Sequence, residues 1–158
     1  MQRSTWRCLL ISLILWKPCL ASAQQPRMIN VGDRSLAVYC NGEASSLHTV
    51  ILVPAGGRTA KDWEKVQPAV SNFGRVCSYD HANLGGSDKG PVQLQSVDEV
   101  VADLHAWLKA SGEKRPFILV GHSNGGIYAR RFVTKFPGEN GESGIRGLST
   151  RGTGAPPV

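Results

Sequence analysis

The stretch from Phe117 to Ile127, FILVGHSNGGI, constrains the chain more than any other. Phe117 to Val120 is a short apolar run, as expected of a strand covered on both faces. After Ser123 the pattern turns helical, with Ile127, Tyr128, Arg131, Phe132 and Lys135 at spacings of three and four. Between them, Gly121-His122-Ser123-Asn124-Gly125 fits G-x-S-x-G. The five-residue pattern is weak alone, because the chain has 18 glycines and a chance match is easy. A strand before it and a helix after it give the pattern structural meaning. The flanking glycines let the chain bend sharply and let the helix sit close to the strand. The serine side chain is then pushed out at the top of a sheet, and the Asn124 backbone N–H is aimed where an oxyanion would form.

The rest of the chain supplies the company such a turn needs. Residues 28–40 carry two short strand patterns around Gly32-Asp33-Arg34, a turn composition. Thr49 to Val53 is β-branched and apolar, a central strand. Lys61 to Phe73 reads as a helix with Trp63, Val66, Val70 and Phe73 on one face, kinked or restarted at Pro68. Arg75 to Tyr79 is the next strand. Ser96-Val97-Asp98-Glu99 is a capping box opening a helix whose stripe is Val97, Val100, Val101, Leu104 and Leu108. Trp107 flanks that stripe, His105 lies off it on the solvated side, and Ser111-Gly112 ends the helix. From residue 49 to 136 the order is strand, helix, strand, helix, strand, helix. Such alternation predicts an α/β fold with a parallel sheet and helices on both faces.

With these residues in view, the chain from about Met28 to Pro137 resembles the N-terminal half of an α/β-hydrolase. The resemblance implies a mostly parallel sheet, incomplete at its C-terminal end, and a nucleophile at Ser123. It also implies an oxyanion hole made by the backbone N–H groups of Asn124 and of Gly56, with Gly57 as the alternative donor. Pro54-Ala55 stands where the family often has His-Gly, a departure that a backbone donor tolerates. Asp80 to Asp88 resembles the family's glycine-rich loop after the strand, with His81 in the place of an arginine; Asp80 is read there as a loop-stabilising acceptor. A serine at the nucleophile position disfavours the branches that use aspartate. The expected activity is hydrolysis of a small ester-type substrate. In the implied sheet order the second and fourth strands are neighbours, which puts Cys40 and Cys77 within reach of a disulfide; two buried free thiols are the alternative.

The termini carry separate expectations. Arg3 and Arg7, the apolar run Cys8 to Trp16 and Ala21-Ser22-Ala23 read as a cleavable signal peptide over residues 1–23. An uncleaved anchor is the alternative, but Lys17 and Pro18 break a run already short for a bilayer. Export to the periplasm or outside the cell follows, with no stable membrane association after cleavage. The full chain has a net charge of +6, and three of its 18 basic residues lie in the leader, so 15 face 12 acidic residues in the remainder. That balance leaves no nucleic-acid footprint. Nothing in the spacing of His, Cys, Asp and Glu fits a metal site, and no cofactor is expected. Residues 138–158 are rich in glycine and poor in apolar residues, so a disordered tail is expected where the family has another strand.

In the resembled fold an acid and then a histidine follow the serine. Here the histidines are His48, His81, His105 and His122, all before Ser123, and no aspartate follows it. The expectation is a truncated or frame-shifted hydrolase sequence. A non-catalytic exported fragment, acting at most as a binding or interaction module, is the reading of another class.

Overall fold

The computed structural model describes residues 25–44 and 46–137, and the backbone of 148–150. The signal-peptide reading of residues 1–23 lies outside the described residues, as does the tail expectation except at 148–150. Strands β1 (Arg27–Asn30), β2 (Ser35–Asn41), β3 (Thr49–Val53), β4 (Arg75–Tyr79), β5 (Phe117–His122) and β6 (Leu148–Thr150) form one sheet. Its order is β1-β2-β4-β3-β5-β6. The β1–β2 and β2–β4 pairs are antiparallel, and the β4–β3, β3–β5 and β5–β6 pairs are parallel. This mostly parallel sheet with flanking helices is the α/β architecture that the alternation predicts.

Side-chain alternation along the strands sorts the sheet into two faces. Ile51, Cys77, Tyr79 and Leu119 point to one side, where α2 (Val97–Ser111) and α3 (Asn124–Lys135) bury Leu104, Trp107, Tyr128 and Phe132. Leu52, Val76 and the half-buried Val50 and Val120 point to the other side, against Trp63 and Val70. Trp107, flanking the stripe, is fully buried, its ring centroid 5.5 Å from that of Tyr79. Its capping box forms as read: the Ser96 hydroxyl accepts from the Glu99 N–H, and the Glu99 carboxylate accepts from the Ser96 N–H.

Three expectations change. The single helix over Lys61–Phe73 is instead a 3-10 turn, Ala60–Trp63, followed by α1 (Gln67–Ser71), with Pro68 restarting the helix. Phe73 falls past the end of α1 and is 92% exposed, so it joins no core. Besides Val70, a polar anchor holds α1: Gln67 donates to the Tyr39 carbonyl and the Asn41 side chain and accepts from Ser78. His105 is half-buried rather than on a fully solvated face; its ring stacks on Phe136 with centroids 3.9 Å apart. Burial, then the charges of Lys109 and Arg115, push its pKa down. Finally, the strand expected to be missing after residue 137 is present as β6, pairing Val120 to His122 with Leu148 to Thr150. A ladder is made by backbone groups, so a short polar segment can satisfy the edge of β5 without an apolar pattern.

Cys40 and Cys77 stand opposite each other in the β2–β4 register and form a disulfide, with Cα atoms 4.1 Å apart. It staples the outer antiparallel strands to the parallel centre.

Candidate active site

The turn at Ser123 is built by what its neighbours lack. β5 runs to His122, and α3 begins at Asn124, so one residue must reverse the chain direction. Ser123 does so with φ 51° and ψ −120°, a conformation that residues bearing a side chain rarely adopt. Its carbonyl accepts from the Gly126 N–H at 3.0 Å, closing the first turn of α3. The glycines on either side are required by contact. A Cβ on Gly125 would stand 2.3 Å from the Val53 carbonyl oxygen, and one on Gly121 2.3 Å from the Gly125 carbonyl carbon. The helix therefore sits directly on the ends of β3 and β5, and the Ser123 side chain is exposed beyond the sheet.

A second turn meets this one. After β3, Ala55 to Arg58 form a tight turn in which the Arg58 N–H donates to the Ala55 carbonyl at 3.0 Å. Gly57, at φ 73°, supplies the left-handed residue that this turn needs. Gly56 lies against α3: a Cβ there would be 2.8 Å from Asn124 Nδ2 and 3.0 Å from Tyr128 Oη. The sequence-derived residues Ser123, Asn124 and Gly56 thus converge on one end of the sheet, and all three are exposed. Backbone N–H groups held in fixed places beside a hydroxyl are the arrangement that stabilises a developing oxyanion.

The carboxylates and histidines around the turns divide by role. Asp80 is buried and accepts from the Ala60 N–H (2.7 Å), the Gly86 N–H (2.8 Å) and the Tyr39 hydroxyl (3.2 Å). It pins the glycine-rich loop, as the sequence reading has it. His81 is buried between Tyr79 and Tyr128, edge-on to both rings, with Nε2 3.3 Å from the Pro54 carbonyl. Burial, outweighing the Pro54 carbonyl and the nearby Asp103 and Asp80, pushes its pKa down. The neutral ring donates from Nε2 and braces the start of the Pro54–Arg58 turn. His122 is exposed and turned toward Asp62, Nδ1 to Oδ2 at 3.4 Å, edge-on to Trp63.

Asp62 and Tyr128 are the site-region residues that sequence reasoning passed over. Asp62 sits between Lys61 and Trp63 with no motif to mark it. Tyr128 reads simply as a helix-face residue, and only its contact at Gly56 connects it to the site. A groove of about 1250 Å³ runs past Tyr39, Lys61, Gln67, Asp80 and Gly86, but its lining includes none of Ser123, Asn124 or Gly56. Among the described residues, the group close enough to hold a metal is Cys40, Cys77 and Glu113. Both sulfurs there are in the disulfide, and Glu113 accepts two hydrogen bonds from Arg75 at 2.8 and 2.9 Å.

The chain belongs to the α/β-hydrolase fold family, whose model matches residues 48–153. A probable transporter, efuK, from Hormonema carpetanum is 29% identical over 124 residues, which are 77% of this chain and 18% of that protein. An AB hydrolase superfamily protein from Gibberella zeae is 32% identical over 89 residues, 56% of this chain and 28% of the relative. Among solved structures, epoxide hydrolase VrEH1 from Vigna radiata superposes with a TM-score of 0.68 at 18% identity, over 84% of this chain and 41% of that one. The chain therefore spans less than a third of the length of these curated relatives and under half of this structure.

Proposed function

We propose that the protein is an exported serine hydrolase of small ester-type substrates. Ser123 Oγ attacks the acyl carbon, and the backbone N–H groups of Asn124 and Gly56 hold the oxyanion. The observation that carries this reading is the meeting of two turns: the strained Ser123 between β5 and α3, and the Gly56 turn packed against Asn124. A serine hydroxyl needs a base to take its proton. None of the four histidines suits that role in this arrangement. His81 is occupied at Pro54 and His122 faces Asp62, while His105 packs on Phe136 and His48 precedes β3 at the far end from the turn. The proposal therefore assigns the base and its acid to sequence beyond residues 1–158, in keeping with the greater length of the relatives. No cofactor enters this chemistry.

Export is proposed on the leader pattern of residues 1–23 and is supported by the Cys40–Cys77 disulfide, which suits an oxidising compartment. No described helix is long and apolar enough to cross a membrane.

The test is labelling of the full-length protein, which carries the base, with a serine-reactive fluorophosphonate. The hydrolase reading expects labelling of the wild type that Ser123→Ala abolishes. A well-folded wild type that resists the probe would favour the reading of a non-catalytic binding module.

A further inference from the structure

We infer that Asp62 is a positioning residue that locks the Gly56 turn to the Ser123 turn. Its carboxylate is 5% exposed and gathers three groups from two separate elements. The Arg58 Nε donates to Oδ1 at 2.8 Å, and the Ala55 backbone N–H lies near enough to the carboxylate to help lower its pKa. These are the first and last residues of the turn that carries Gly56. The third group is His122 Nδ1, 3.4 Å from Oδ2, on the residue immediately before Ser123. One carboxylate therefore holds the Arg58 end of the donor-bearing turn, faces its Ala55 end and touches the strand end that presents the serine.

The chemistry of these contacts favours a lock over incidental packing. Burial pushes the Asp62 carboxyl upward, but the hydrogen bonds from Arg58 and His122, the Arg58 charge and the Ala55 N–H outweigh it, and it is held below its ordinary value. A buried carboxylate kept ionised this way is costly to leave unpaired, so its partners are drawn to it. Arg58 itself is 65% exposed and His122 is 54% exposed, so each has water as an alternative. The fixed point of the cluster is Asp62. Its position also follows from the fold: Trp63, the next residue, is buried against Leu52 and Val76, which seats the 3-10 turn on the sheet.

Geometry at an oxyanion site matters steeply. A donor displaced by about 1 Å costs on the order of 100-fold in rate. Asp62 acts through Ala55 and His122 and touches no substrate. The catalytic meaning of the lock rests on the hydrolase reading, whereas the lock itself does not.

The experiment uses two substitutions that preserve shape, Asp62→Asn and His122→Gln, and two readouts. The first is the rate of Ser123 labelling by the fluorophosphonate, well below the melting temperature. Each substitution is expected to slow labelling, Asp62→Asn by about tenfold or more, and the double variant to lose less than the product of the two, because both break one connection. The second is the backbone amide spectrum. Asp62→Asn is expected to shift Ser123 and Asn124, across the gap, as well as Ala55 and Gly56, and His122→Gln is expected to shift Gly56. Shifts confined to residues 54–63 for Asp62→Asn, or unchanged labelling rates in a labelled wild type, would overturn the lock. If the wild type does not label at all, the hydrolase reading falls, and the cross-gap amide shifts alone decide the lock.

Discussion

A residue with a side chain held at the Ser123 backbone angles costs about 1–3 kcal/mol, and the surrounding contacts must hold it there. Ser123→Gly relieves the strain and is expected to raise unfolding stability by about 1 kcal/mol while removing all probe labelling. A urea titration beside the labelling assay reads both. Gly125→Ala works in the opposite direction. Its methyl group would meet the Val53 carbonyl at 2.3 Å, backbone against backbone, with no flexible side chain to give way. The expected cost is about 1–3 kcal/mol, read from the same titration, with labelling reduced as α3 is pushed off β3. At this scale the sequence was informative where a motif marks the chain. Ser123, Asn124 and Gly56 were legible because glycines flank them in a strand–turn–helix context. Asp62 was not, because its importance lies in partners 4 and 60 residues away, which no local pattern encodes.

The helices α2 and α3 are joined at the surface through Asp98. Arg131 donates to its carboxylate twice, at 2.9 and 3.2 Å, and Lys135 once, at 3.1 Å. The hydrogen bonds from Arg131 and then Lys135 bring its pKa down to about 2. A carboxyl depressed in the folded state stabilises above its unfolded pKa, about 4, and that contribution is lost as pH falls toward about 2. Asp98→Asn is therefore expected to flatten the acid limb of stability between about pH 4 and 2, an effect that added salt diminishes. Thermal melts across that range check it. The strands and α2 were legible in apolar runs and in the capping box. The segment 61–73 was only partly legible: Trp63 and Val70 of the apolar stripe do pack on the sheet, but Gln67 also fixes α1 there, and a buried polar anchor looks like a surface residue in sequence.

Across the whole molecule, sheet order came from family resemblance rather than from the residues, since alternation predicts parallel strands but not who neighbours whom. β6 was illegible because Leu148–Thr150 contributes backbone pairing from a glycine-rich stretch with no strand signature. The disulfide ties residues separated by 37 positions, and its reduction is expected to lower stability by roughly 4 kcal/mol if chain entropy dominates. Denaturation curves with and without reductant test this, as does a Cys40→Ala, Cys77→Ala double variant. The close approach of Gly125 to Val53 has a broader consequence. The pose of Ser123 is secured by a carbonyl seventy residues upstream, so the segment from Phe117 to Lys135 made as a peptide lacks the abutment that keeps the serine in its unfavourable angles. Reactivity at Ser123 is thus a reporter of finished topology. In a refolding experiment it should return no earlier than the β3–β5 ladder, and a protein whose far-UV signal has recovered but whose serine is silent has its elements without their assembly.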